Sequence, residues 1–379
     1  FTRAAYDGGL VLLDGSDGRF DWEVVPGARD PGLVPFAGMP MTTRTDHVFN
    51  ANDSFWVPNA EATLTGAFSI LHGEQNTPLS MRTRQNAAVL RTGPGGLAGP
   101  DGRWSADEVR RAAFDNTAST ARLLRRSAVD ACAAFPLVDV AEVLAADGSV
   151  SLPAATVDLT AACRVLAEWD GVYDLDRAGP LIWRETITQF PDEAFRGPGP
   201  LFADAFDPTD PTGTPSVPAA DLGALLRAVA RAVQVITEAG FEVDATLGAT
   251  QFTERSDTRI PIHGGLGSEG ITNVVSWSDA STSSEPVPER GEPVAVGTSL
   301  RGDGYRVNFG TSFVMVDDVT GEDTAASAML VYGQSGDRTS DQFDVQTQRF
   351  SDKRWREVAF TDAAIDADAN LITTTVTRP

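Results

Sequence analysis

A change of hydrophobic period near Gly240 constrains the fold more than any other feature of this sequence. Before it, apolar residues recur at helical spacing; after it, short β-rich runs are separated by Gly, Ser and Asp. Helical signals begin at Ser105, which with Glu108 makes a capping box for a helix ending near Asn116. Further helices are expected over 117–135, 154–170, 181–190 and 219–240. The last carries Leu222, Leu226, Val229, Val233 and Ile236 along one face. Strands are expected over 259–262, 274–277, 305–309, 312–316 and 328–332, with 371–376 as a terminal strand. Helices followed by a strand-rich half predict an α+β fold rather than alternating βαβ units.

The N-terminal part is less regular. Residues 1–46 are rich in Gly, Asp and Pro and are expected to be extended surface chain with short strands. Residues 48–56 predict a short strand leading into a polar turn, 87–90 a short apolar run, and 93–103 and 197–218 loops. The organisation expected is an active-site strand and turn region (1–92), a mainly helical segment (93–258) and a strand-rich segment (259–379). The first residues, FTRAAYDGGLVLLDG, look like the middle of a longer polypeptide.

Charge excludes some functions. With 53 acidic and 30 basic residues the net charge is −23, which repels phosphate backbones and anionic membranes. No apolar run approaches the ~20 residues that span a bilayer. Two cysteines, Cys132 and Cys163, and three scattered histidines, His47, His72 and His263, make no zinc-ligand pattern. Two buried free thiols and a disulfide remain equal alternatives; a bridge would contribute about 3.5 kcal/mol and imply an oxidising compartment.

Chemistry-bearing groups concentrate between His47 and Arg84. Asn50, Asn52, Asp53, Ser54 and Trp56 form an Asn-x-Asn-Asp-Ser-x-Trp cluster, and Arg82 and Arg84 an Arg-x-Arg pair. Taken alone, the cluster equally describes an Asx turn, and the arginines a solvated surface. A Ser-His-Asp hydrolase is disfavoured, because Gly-x-Ser-x-Gly is absent and no histidine sits in a triad signature. His72 and His263 adjoin glycines and are expected in turns. The Gly-rich run GGLGSEG (264–270) lacks the Lys-Ser/Thr of a phosphate loop and is expected to be a turn between strands.

The order of these features resembles the β chains of the penicillin acylase family of N-terminal-nucleophile hydrolases. Within it, the pattern is most similar to acyl-homoserine lactone acylases and aculeacin A-type lipopeptide acylases. NANDSFWVPN matches the family's Asn-x-Asn-Asp-Ser-x-Trp-Leu-x-Asn-Pro strand end, and Ser80 to Arg84 its Ser-x-Arg-x-Arg segment. Near the C-terminus, Gly310-Thr311-Ser312, a Gly-Gln-Ser turn and the run DQFDVQTQRFSDKRWREVAF match a second block, with Ala359 in place of a proline and Val345 in place of an acid.

The resemblance implies a four-layer αββα sandwich of which this chain supplies a part. It implies amide hydrolysis through an acyl-enzyme on an N-terminal serine, which Phe1 cannot supply and Thr2 does not replace. The chain therefore resembles the C-terminal portion of a β subunit. Its expected partners are an α chain and the nucleophile-bearing N-terminal portion of the β chain. Asn52 matches the family's oxyanion-hole asparagine, and Arg82 an arginine that orders the nucleophile, with Arg84 able to exchange roles with it. Trp56 and Asn50 are expected to hold the strand and turn. The implied substrate is an acylated amide such as an acyl-homoserine lactone or a lipopeptide; a β-lactam acylase and a non-catalytic scaffold are the alternatives. No cofactor is expected; calcium is bound by some family members, but no cluster here places its ligands. Export to the periplasm or cell exterior is also implied.

Overall fold

A computed structural model describes residues 14–91, 96–255, 258–277, 291–321 and 323–378. Phe1, Thr2 and the rest of the first thirteen residues of the expected extended chain lie outside these residues. The helices are α1 (Met81–Leu90), α2 (Ala106–Ala113), α3 (Ser119–Ala134), α4 (Thr160–Glu168), α5 (Pro180–Ile187), α6 (Gly223–Glu238), α7 (Leu247–Thr250), α8 (Val345–Ser351) and α9 (Asp362–Asp366). The strands are β1 (Leu137–Val140), β2 (Val143–Leu144), β3 (Val150–Leu152), β4 (Ala155–Asp158), β5 (Gln251–Arg255), β6 (Thr258–Pro261), β7 (Val275–Ser276), β8 (Tyr305–Arg306), β9 (Phe309–Gly310), β10 (Phe313–Asp318), β11 (Ala325–Leu330) and β12 (Arg356–Val358). Helix and strand are mixed as an α+β fold predicts.

The main core lies where α5 packs on α6 and α3 on α4. Every residue of α5 is buried, Trp183, Arg184 and Glu185 included. Pro180 stands at the first turn of α5, where its missing N–H costs nothing. The preceding Gly179, at φ 117, lies so close to the Trp169 ring that a Cβ would sit 2.5 Å from it. The amphipathic pattern of α6 is observed: Leu226, Val229 and Ile236 are buried, and Leu222 and Val233 pack partly buried against the same core. The predicted capping box is also observed: the Ser105 hydroxyl accepts from the Glu108 N–H at 3.3 Å, and Glu108 accepts from the Ser105 N–H at 2.8 Å. Cys132 and Cys163 are joined in a disulfide that ties α3 to α4.

Four expectations fail. The helix expected from residue 154 begins only at Thr160, because Ala155–Asp158 is strand β4, paired antiparallel with β1. Thr156 and Val157 are β-branched and fit the pleat better than a helix. Within that hairpin β2 pairs with β3 around an Asp147-Gly148-Ser149 turn, Gly148 standing at φ 83. No strand forms over 48–56, where the chain turns irregularly, and none forms over 371–376. Residues 14–46 likewise contain no strand, only 3-10 turns at Gly18–Phe20 and Phe36–Gly38.

The strand-rich half contains two three-stranded sheets, β6-β5-β8 and β10-β11-β12, and a pair, β7-β9. The run expected as one strand over 305–309 divides between two sheets, β8 pairing with β5 and β9 with β7. A second core of Phe114, Ile260, Val307, Met329 and Phe350, with other apolar side chains, underlies these sheets. The C-terminal motif fastens α8 here: Gln346 Oε1 accepts from the Leu330 N–H at 2.7 Å, and the Thr347 hydroxyl donates to the Val331 carbonyl at 2.6 Å. That motif is structural.

Candidate active site

The Asn-rich cluster is a tight turn whose side chains are shared out among different tasks. Asn50 Oδ1 accepts from the Asn52 N–H at 2.9 Å, an Asx turn. This turn puts Asn52 at φ 64, in the left-handed region that asparagine tolerates better than most residues. Ser54 donates to the Glu74 carbonyl, and the fully buried Trp56 packs edge-to-face on Phe206 at 6.4 Å. The second turn is structural too: buried Asn59 donates to the His47 carbonyl and accepts from the Glu61 N–H. Asn52 is exposed at the cleft described below, with the half-buried Asp53 beside it.

Arg82 and Arg84 lie on α1, a helix the sequence reading did not find. Two residues apart on a helix, they face nearly opposite sides. Arg82 Nη2 donates to Asn52 Oδ1 at 3.0 Å. Arg84 is buried instead, its Nε and Nη2 donating to the Thr212 and Gly213 carbonyls, each at 3.1 Å. Burial, helped by Arg122, lowers its pKa to about 10, so it stays charged at neutral pH. Helix geometry thus separates the two arginines: Arg82 meets the turn, and Arg84 braces α1 against the 197–218 loop. They do not exchange places.

A cleft of about 370 Å³ opens between Asn52, Arg82, Phe195, Arg196 and Ser268. An arginine has only donors, so the amide atom of Asn52 facing Arg82 must be its oxygen. The Nδ2 hydrogens have no protein acceptor among the described residues. Asn52 therefore presents an N–H donor while a guanidinium polarises the far side of the same amide. This arrangement suits a developing oxyanion.

The Gly-rich run contributes a wall of this cleft through Gly267 and Ser268, beyond the turn that was expected. Its anchor is the buried Glu269, which pairs with Arg184 Nε at 3.1 Å and accepts from the Tyr173 hydroxyl at 2.6 Å. Burial alone would depress the Arg184 pKa, but Glu269 and two tyrosines outweigh it and the net shift is upward. Main-chain bonds complete the join. Ser119 N donates to the Gly270 carbonyl at 3.1 Å while its hydroxyl donates to the Met81 carbonyl at 3.0 Å. Ser119 thereby binds the loop to the helix that carries Arg82. An acid close behind the glycines was the one sequence signal for this anchor.

No histidine faces the cleft. His47 lies by Asn59, and His72 closes a 3-10 turn before Gly73, as its neighbouring glycine suggested. His263 is fully buried rather than part of an open turn, stacked on Phe350 at 4.6 Å between ring centroids. Among the described residues, no three or more His, Cys, Asp or Glu side chains could hold a metal ion. The nearest approach in sequence, Asp204, Asp207 and Asp210, has its carboxylates engaged by backbone N–H groups. No helix among the described residues is long and apolar enough to cross a membrane.

The family model for penicillin amidase matches residues 2–367. The chain belongs to the penicillin amidase family. It is 31% identical over 364 residues to aculeacin-A acylase of Actinoplanes utahensis, across 96% of this chain and 41% of that protein. It is 29% identical over 364 residues to acyl-homoserine lactone acylase PvdQ of Pseudomonas savastanoi pv. phaseolicola, across 95% of this chain and 41% of that protein. A PvdQ of Pseudomonas syringae pv. syringae is similar at 29% over 368 residues. The chain spans about two fifths of the length of the relatives it matches. The expected resemblance therefore holds across nearly the whole chain.

Proposed function

We propose that this chain forms one wall of an amide-hydrolysing active site in a multi-chain acylase. A serine Oγ at the N-terminus of another polypeptide attacks the substrate carbonyl, with its own α-amino group as base. The carbonyl oxygen becomes an oxyanion, the amine leaves, and water then hydrolyses the acyl-enzyme. Asn52 donates its Nδ2 hydrogen to the oxyanion. Arg82 holds the Asn52 amide in that orientation and brings positive charge to the nucleophile's side of the cleft.

The observation that carries this reading is the bond from Arg82 to Asn52 Oδ1, which leaves the donor edge of the amide toward the open cleft. The substrate class is an amide bearing a fatty or similar acyl chain. The relatives support it: one is an aculeacin-A acylase, others are acyl-homoserine lactone acylases. The partners are an α chain and the nucleophile-bearing portion of the β chain, which together complete a four-layer αββα sandwich. The Cys132–Cys163 bridge supports a periplasmic or extracellular location.

The test is hydrolysis of N-dodecanoyl-homoserine lactone and of an acylated lipopeptide by the assembled enzyme, wild type and Asn52→Ala. Strong loss of turnover with assembly intact is expected. Wild-type turnover in the variant would reject the oxyanion role, and turnover by this chain alone would place the nucleophile within it.

A further inference from the structure

We infer that Asp53 is a positioning residue that sets the Asn52–Arg82 geometry by completing the N-terminal cap of α1 from outside the helix. Helix α1 begins with Ser80, whose hydroxyl accepts from the Thr83 N–H at 3.2 Å. A complete capping box would place a Glu or Gln at that third position to accept from the N–H of the cap residue. Helix α2 does this locally with Ser105 and Glu108. In α1 the third position is Thr83, which has no carboxylate. The missing acceptor comes from 27 residues upstream: Asp53 Oδ2 accepts from the Ser80 N–H at 2.8 Å. The same oxygen accepts from the Thr83 hydroxyl at 2.5 Å.

The consequence follows from adjacency. Asp53 is the residue after Asn52, and Thr83 the residue after Arg82. The two bonds from Asp53 thus fix the start of α1 against the turn one residue away from the Asn52–Arg82 bond on each strand of chain. An anion at a helix N-terminus also interacts favourably with the helix dipole. A helix cap and a left-handed asparagine turn are one unit, and neither can shift without breaking charge-assisted bonds. The adjacent pair Asn52-Asp53 therefore encodes a donor and the clamp that aims it.

This inference rests on the oxyanion role of Asn52. Its test is a double-mutant cycle in the assembled enzyme, following release of homoserine lactone from the N-dodecanoyl amide. Asp53→Ala should lower kcat about a hundredfold, the scale of a misplacement near 1 Å, with KM little changed and Tm lowered modestly by the loss of the two cap bonds. Asp53→Asn, which keeps an acceptor oxygen, should restore most of that loss. Asp53→Ala added to Asn52→Ala should cause no further loss, because a positioning residue acts only through the group it positions. Should Asp53→Ala fail to assemble, Thr83→Val removes one of the two bonds and should show a smaller loss of the same kind.

Losses that multiply in the double variant, or wild-type kcat in Asp53→Ala, would overturn the inference. A crystal structure of the assembled Asp53→Ala enzyme separates this outcome from failure of the functional reading. A displaced Asn52 turn beside an inert Asn52→Ala substitution rejects the oxyanion role and keeps the clamp. A turn that stays in place rejects the clamp whatever the kinetics.

Discussion

Arg82 donates to the Oδ1 of Asn52 across 3.0 Å, and this one bond leaves Nδ2 as the amide edge without a protein partner among the described residues. A neutral amide in a turn could rotate to show either oxygen or nitrogen. A guanidinium on one side removes that freedom, because it accepts no hydrogen bond. The pair is thus more than two polar residues near an opening.

Loss of the Asn52 donor should be felt in chemistry rather than folding. Asn52→Ala in the assembled enzyme is expected to lower kcat by about 10²–10³, or roughly 3–4 kcal/mol. The side chain is exposed and bonds only Arg82, but alanine at φ 64 costs about 1 kcal/mol of backbone strain, so the thermal midpoint should fall only slightly. Steady-state kinetics beside a thermal melt check both halves; equal loss of Tm and kcat would point to a structural role.

The two arginines should separate in the opposite sense. Arg82→Ala is expected to reduce kcat while leaving stability nearly intact. Arg84→Ala removes two charge-assisted bonds, to a buried and a partly buried carbonyl, each worth about 1.5–3 kcal/mol, and should lower Tm clearly. Differential scanning calorimetry and turnover on both variants read the split. An Arg84 variant that melts normally but is inactive would return Arg84 to the site.

Breaking the anchor under the Gly-rich wall should cost stability. Glu269→Gln leaves the Arg184 charge buried without its partner and is expected to destabilise by about 3–5 kcal/mol in urea unfolding. Replacing both residues, Arg184→Met with Glu269→Leu, should cost less than Glu269→Gln alone, since no uncompensated charge is left behind. A double variant weaker than the single one would show that hydrogen bonds to the loop, and not the ion pair, dominate.

Acid should weaken the protein through His263. Burial, with the Lys353 ammonium adding to it, lowers its pKa from 6.5 to about 4. The geometry agrees with a neutral ring: Nε2 donates to the Phe350 carbonyl at 2.7 Å, while Nδ1 accepts from Asn116 and Asn273. Between pH 6.5 and 4 the unfolded chain binds a proton that the folded one does not. The His263 contribution is therefore fully present above pH 6.5 and is lost as pH falls toward 4, about 3 kcal/mol in all. Urea midpoints at pH 7 and pH 5 should converge in His263→Gln relative to wild type; an unchanged pH dependence would assign the acid sensitivity elsewhere.

Period and cap chemistry made the helical half legible. The capping box at Ser105, the apolar face of α6 and the β-rich runs after Gly240 are local patterns, and local patterns survive folding where packing agrees with them. Boundaries are illegible where pairing partners are not local: β4 has a helix-like apolar pattern, and its strand state comes from β1 across a hairpin. Helix α1 was missed because part of its cap comes from Asp53, 27 residues upstream.

The sequence by itself determined the family, the α+β class and the candidates Asn52 and Arg82, because these reside in residue order and spacing. It left Arg82 and Arg84 interchangeable, the two thiols undecided and the Gly-rich run a plain turn. Tertiary structure decided each one by distance. A helix turn sends Arg84 into the protein and Arg82 to Asn52, the packing of α3 on α4 brings Cys132 to Cys163, and a buried Arg184–Glu269 pair draws the glycines up to the cleft. No residue carries in its own identity which distant group it will meet; only the folded chain sets that.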